Sequence, residues 1–328
     1  MNPLISVKDL SIGFHQRHLV LPAVENISFD VAAGETLGIV GESGSGKSLS
    51  ARAILGLVPA GGEITSGQIT YQPASGDPIE ISSLPKNGRD IRSLRGSKIA
   101  MVFQEPMASL SPVHTIGNQI STTLRQHTDL SKRAALTRAI ELLDQVGMAS
   151  PAEIAEQYAH QISGGMRQRA MIAMALSCNP RLLICDEPTT ALDATTEAQI
   201  VDLLAKLQAD LNMGMIFISH NIGLVSEIAD RVMVMYLGQE VETGPAETVL
   251  KTSGHPYTRA LLAALPAFTE AGAELATLQG TVPDPTSRPT GCSFHPRCPE
   301  FAGEHCKTVR PVLHAIADRH CAKCHLHD

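Results

Sequence analysis

The chain has 328 residues, enough for about two domains, and its 43% hydrophobic and 18% charged composition excludes a disordered polymer. A net charge of −7 argues against a basic protein that coats nucleic acid. No apolar run reaches the roughly 18 residues of a membrane-spanning helix, and the start lacks the basic flank and apolar stretch of an export signal. The seven Cys are therefore expected to stay reduced rather than form a disulfide framework.

In chain order, Thr36 to Val40 is a short apolar run that reads as a buried strand. A Gly-rich turn follows, then a helical stretch from Lys47 that stops before Pro59. Cys178 and Cys185 sit in apolar surroundings and read as small core residues. Leu182 to Cys185 is a second apolar run. Ile200, Leu203, Leu204, Leu207 and Leu211 share one helical face, and Gly214 is expected to end that helix. Met215 to Ile218 and Arg231 to Met235 are further strands. Apolar strands separated by helices predict βαβ units and a mainly parallel sheet. Pro266 to Pro289, rich in Ala, Gly, Thr and Pro, reads as a linker. The expected domains are residues 1–250 and a smaller extension, 251–328, which holds five of the seven Cys.

Gly41-Glu-Ser43-Gly44-Ser45-Gly46-Lys47-Ser48 matches G-x-x-x-x-G-K-[ST] between a strand and a helix. Glycines let backbone N–H groups turn inward around phosphate oxygens, and the helix N-terminus adds partial positive charge. Lys47 is placed for β- and γ-phosphates and Ser48 for Mg²⁺. The run Leu182 to Cys185 then delivers Asp186 and Glu187 at a strand's C-terminal end, where ligands gather in open α/β sheets. Asp186 suits Mg²⁺, directly or through water, and Glu187 suits a general base on water. Without the phosphate loop, the same pair would read as a helix cap before Pro188.

Ile162-Ser163-Gly164-Gly165-Met166-Arg167-Gln168-Arg169, just before that strand, closely resembles the signature motif of ATP-binding cassette (ABC) ATPases, usually L-S-G-G-Q. The resemblance identifies Gln104 with the Q-loop, Asp193 with the D-loop and His220 with the switch histidine. Phe14 stands where the family often stacks an aromatic on adenine, although alternating apolar neighbours also suit a core residue. The resemblance implies a P-loop ABC ATPase fold: a mainly parallel α/β core sheet, an antiparallel β subdomain, and an inserted helical subdomain at about 105–178. It implies ATP and Mg²⁺ as ligands, with Ser163, Gly164 and Gly165 completing the site of a partner subunit. Met166 departs from the usual Gln and cannot repeat its amide hydrogen bonds. The same string is typical of one subfamily.

Gly254 to Leu262, Gly280 to Pro285 and Gly291 to Pro299 resemble the tail of ATP-binding subunits of the dipeptide/oligopeptide/nickel importers. That implies a second ATPase subunit, two membrane permeases and, indirectly, an extracytoplasmic solute-binding protein. It implies a peripheral place at the cytoplasmic face of the bacterial inner membrane, with no nucleic-acid partner. The segment Glu105 to Val113 lies where family members receive coupling helices from the permease, and otherwise reads as a helix-packing loop. The alternative, a non-transport ABC ATPase acting on ribosomes or nucleic acid, usually has two cassettes or a basic surface. The tail also carries Cys292, Cys298, Cys306 and Cys321, with Cys324 as a substitute fourth ligand. Thiolates are soft ligands for zinc or an iron–sulfur cluster, or can remain free. The resemblance favours a 4Fe-4S cluster. His305 and His320 can also ligate but read as solvated.

Overall fold

The computed structural model describes residues 3–16, 19–105, 109–265, 278–284 and 286–328. Residues 266–277 and 285 of the expected linker, and 106–108 of the expected coupling loop, lie outside the described residues. In chain order the elements are β1 (Ile5–Gln16), β2 (Leu19–Val31), β3 (Thr36–Val40), α1 (Lys47–Ile54), β4 (Gly62–Tyr71), β5 (Ile79–Glu80), α2 (Arg89–Leu94) and β6 (Ile99–Val102). Next come α3 (Ile116–His127), α4 (Lys132–Gln145), α5 (Pro151–Glu156), α6 (Gly164–Leu176), β7 (Leu182–Asp186), α7 (Ala194–Leu211), β8 (Gly214–Ser219) and α8 (Ile222–Ile228). The chain closes with β9 (Arg231–Tyr236), β10 (Gln239–Pro245), α9 (Ala246–Lys251), α10 (Pro256–Ala263), α11 (Glu304–Thr308), β11 (His314–Ala317) and β12 (His320–Ala322).

Two compact units divide these elements, and β8 passes from one to the other. One unit holds residues 84–216 with short N-terminal pieces. Its strands β6 and β7 run parallel, Ile99 opposite Leu182 and Val102 opposite Cys185. Both are buried along their whole length, as near-continuous apolar runs in parallel sheets require. Helix α6 packs on β6, and α3, α4 and α5 pack on one another through Ile120, Leu124, Ala139, Leu143 and Ile154. Burying each Ile or Leu contributes roughly 1.5–3 kcal/mol. The starts of three helices are set by side-chain caps: Thr115, Ser131 and Ser163 accept from the amides of Asn118, Ala134 and Met166. The apolar face that predicts α7 is present, but Asn212 ends the helix, not Gly214. Asn212 takes the left-handed conformation at φ 47°, which Asn tolerates, and Gly214 already opens β8.

The other unit holds residues 5–31, 36–83 and 217–328, so residues 251–328 share it with the phosphate loop. Strands β2, β1, β4 and β5 form an antiparallel sheet in that order, with Ile5 between Val31 and Tyr71. Elsewhere in the unit β3 pairs parallel with β9, Val40 opposite Val234. Strand β10 returns antiparallel to β9 through Leu237 and Gly238, both at positive φ, the geometry of a tight two-residue hairpin. The extension joins this sheet: β12 pairs with β10, Thr243 opposite Cys321, and β11 pairs with β12.

Candidate functional site

In the phosphate-loop unit, the fully buried β3 ends at Gly41 and α1 begins at Lys47. A Cβ on Gly41 would stand 2.1 Å from the Met235 carbonyl oxygen, so only glycine fits the turn. Gly46 caps α1 from the left-handed region at φ 94°, and no side chain caps the helix, so its first amides face the loop. Lys47, 4% exposed, lies across the loop and donates to the carbonyls of Gly41 (2.7 Å) and Glu42 (3.0 Å). The Ser45 hydroxyl is buried and makes no hydrogen bond. Ser43 and Gly44 are exposed at the tip, and Ser48 is half-buried in the first turn of α1. His220 is exposed immediately after β8. Phe14 is half-buried on β1 opposite Gly62, whose missing side chain leaves room for the ring edge, since a Cβ there would meet Phe14 Cε1 at 2.9 Å.

Sequence reasoning missed the residues that hold this loop from behind. The Glu42 amide donates to Tyr257 Oη (2.9 Å), and Arg297 grips both Glu42 carboxylate oxygens at 2.7 and 3.1 Å. Burial works against the Arg297 charge, and its hydrogen bonds to Glu42 and Tyr236 outweigh that, holding the guanidinium above its ordinary value. Tyr236, Tyr257 and Phe294 stack edge-on beneath the pair, ring centroids 4.8–5.3 Å apart. Glu42 and Arg297 are 255 positions apart, and neither lies in a local pattern that signals the other.

In the other unit, β7 ends in the fully buried Asp186, and Glu187 follows in the left-handed region at φ 47°. Backbone strain of this kind persists only where surroundings over-determine it. Glu187 Oε2 accepts from Gln104 Nε2 (3.1 Å) and from the Thr190 hydroxyl (3.0 Å), so the expected glutamine and general base are in contact. Ser163 and Gly164 are exposed at the start of α6, and Gly165 is held close to Thr196, where a Cβ would fall 2.8 Å from Cγ2. Asp193 caps α7. Its carboxylate accepts from the Thr196 amide (2.9 Å) and hydroxyl (2.8 Å), which hold it below the usual carboxylate range. Cys185 is buried as expected, and burial pushes its thiol up, whereas Cys178 is half-buried.

In the extension, Cys292, Cys298, Cys306 and Cys324 line one small cavity with Phe294, His295 and Leu326. Cys321 is not among them, whereas Cys324, the alternative fourth ligand, is. The two-residue alternation of β12 buries His320 and Ala322 on one face and turns Cys321 to the other, near Glu240. His320 is not solvated either: it is 1% exposed and paired at 2.7 Å with the fully buried Glu242. Burial pushes Cys292 up to about 11 and shifts Cys298 and Cys324 the same way.

Two family models match the chain: "ABC transporter" over residues 24–190 and "Oligopeptide/dipeptide transporter, C-terminal region" over 241–306. The dipeptide transport ATP-binding protein DppD of Haemophilus influenzae is 48% identical over 98% of this chain and 95% of its own length. The oligopeptide transport ATP-binding protein AppD of Bacillus subtilis is 43% identical over 100% of this chain and 98% of its own. Among solved structures, the ATP-binding cassette MJ0796, as a post-hydrolysis dimer bound to ADP and phosphate, matches with a TM-score of 0.65 at 26% identity. That match covers 74% of this chain and 98% of the cassette. With its phosphate loop, paired acidic strand end and exposed Ser-Gly-Gly helix start in the expected elements, the chain belongs to the ABC transporter family and carries that family's oligopeptide/dipeptide C-terminal region.

Proposed function

We propose that the chain is the ATP-hydrolysing subunit of a dipeptide/oligopeptide importer. It works as a heterodimer with a second ATPase subunit on two permeases, fed by an extracytoplasmic binding protein. The observation that carries this reading is the full-length likeness to peptide-transport ATP-binding proteins in a chain whose Lys47 lies buried across its phosphate loop. Residues 1–250 serve as the nucleotide-binding part, with 105–178 as its helical subdomain, and residues 251–328 as the extension. No helix among the described residues is long and apolar enough to cross a membrane. The likeness to peptide-transport ATP-binding proteins supports a peripheral subunit at the cytoplasmic face. Val113, which ends the expected coupling segment, is 73% exposed, an apolar side chain suited to a permease helix.

In this reading the loop amides of Gly41, Ser43, Gly44, Ser45 and Gly46 and the Lys47 ammonium hold the phosphates, and Phe14 stacks on adenine. Ser48, Gln104 and Asp186 offer the oxygen donors that Mg²⁺ prefers, and the ion neutralises phosphate charge when bound. Glu187 takes the proton of the attacking water, a role that typically contributes ~10²–10⁴ in rate. Gln104, already touching Glu187, positions that water, and His220 donates to the γ-phosphate. Ser163, Gly164 and Gly165 stand exposed so that they reach the nucleotide of the facing subunit, with Asp193 shaping the same edge. The test is Glu187→Gln, which should bind ATP with unchanged affinity and nearly abolish turnover. Turnover at the wild-type rate would refute the assignment.

The donor set of the extension fits a 4Fe-4S cluster held by Cys292, Cys298, Cys306 and Cys324, which would staple the tail. Zinc on the same thiols is the alternative.

A further inference from the structure

Outside the thiol cavity, a second set of ligand side chains meets on the extension. His305 lies on α11, His314 opens β11, and His325 and Asp328 flank the closing turn. One Asp328 carboxylate oxygen stands 2.6 Å from His325 Nδ1 and 3.4 Å from His305 Nε2, and the other stands 2.9 Å from His314 Nε2. The ligand atoms of His305, His325 and Asp328 all fall within 4.8 Å of one another. We propose that His305, His325 and Asp328 bind a single first-row divalent cation of the Zn²⁺ type, with water completing its shell, independently of the transport reading; His314 stands outside this trio, against the second carboxylate oxygen.

His325 Nε2 sits 2.9 Å from the Val309 carbonyl, an outer contact that orients the ring, while Nδ1 faces the Asp328 oxygen at 2.6 Å. A ligating His whose other nitrogen donates to a backbone carbonyl is the usual outer arrangement of metal sites.

The dimensions agree. Tetrahedral ligands at about 2.0–2.1 Å stand about 3.3 Å apart. The His305 contact is already at 3.4 Å, and the His325 contact opens by less than about 1 Å to match it. His305 is 56% exposed, which gives the ion an entry path. Two neutral imidazoles with one carboxylate leave a net single positive charge beside an otherwise acidic chain. Imidazole and carboxylate donors suit Zn²⁺ and its neighbours, whereas the thiols next door suit softer centres.

The test uses the full chain without a polyhistidine tag, prepared without oxygen, and titrated with Co²⁺ as a spectroscopic probe. The expected result is one Co²⁺ per chain with visible ligand-field bands, no sulfur-to-cobalt charge-transfer band, and displacement by Zn²⁺. His305→Ala, at an exposed position that folding does not need, and Asp328→Asn should each weaken binding by more than the roughly 10–100-fold cost of losing an outer partner. No uptake by the wild type would overturn the proposal. So would uptake that survives both His305→Ala and Asp328→Asn, or that carries a sulfur-to-cobalt charge-transfer band.

Discussion

Replacing Glu42 with Gln removes the counter-charge of Arg297 while keeping the side chain's shape. The Arg297 side chain is 4% exposed, so the guanidinium loses its counter-charge in a buried place. Its acceptors are then the new amide oxygen, the Gln279 carbonyl at 3.0 Å and Tyr236 Oη at 3.5 Å, all neutral. Breaking a buried pair from one side costs about 3–5 kcal/mol. Glu42 is 28% exposed, so solvent screening sets the loss near the lower end, about 3 kcal/mol. Arg297→Met is milder, about 1–2 kcal/mol, because the carboxylate left behind reaches water. The double variant Glu42→Gln/Arg297→Met should therefore lose less than the sum, with a coupling of about 1.5–2 kcal/mol. Urea and thermal unfolding read these costs, at roughly 2–4 °C per kcal/mol for a unit of this size. A fluorescent nucleotide titration reads the loop itself, and each 1.4 kcal/mol of lost loop organisation appears as about tenfold in affinity. Additive costs, with coupling below about 0.5 kcal/mol, would refute the argument that the extension braces the phosphate loop through this pair.

Lys47→Ala should weaken ATP binding severely without unfolding the chain, as measured by nucleotide titration beside circular dichroism. Cys324→Ser should bleach an oxygen-free preparation or release its metal, whereas Cys321→Ser should not, and elemental analysis of the two variants decides the ligand set. Burial holds the Glu240 carboxyl above its ordinary range despite Lys323 at 4.0 Å. A raised folded-state value means that this group's contribution to stability is present at acid pH and lost as pH rises through that value. Glu240→Gln should therefore lose less stability than wild type between acid and neutral pH, read as the change in urea midpoint.

The nucleotide half of the fold is legible because its physics is local. Five buried residues from Thr36 to Val40, glycines at the turn and a lysine opening the helix all point to one strand–loop–helix. Helix α7 is legible from its apolar face, but its end is not, because Asn212 supplies the left-handed cap that glycine usually supplies. The choice of fourth thiol is not legible for a similar reason. Spacing along the chain favours Cys321, while the alternation of β12 turns it away and leaves Cys324 at the cavity. The grip of Arg297 on Glu42 is invisible in sequence, since it depends on the extension folding back onto the unit that holds the loop. His305 lies on α11, far in sequence from His325 and Asp328, so the trio forms no spacing motif.

The most direct test of the account is purification of the chain from its native membranes in mild detergent, with the co-purifying proteins identified by mass spectrometry. The account predicts two permeases and a second, different ATPase subunit in equal amounts with this chain. Recovery of ribosomal or nucleic-acid-repair proteins, with no permease, would contradict it.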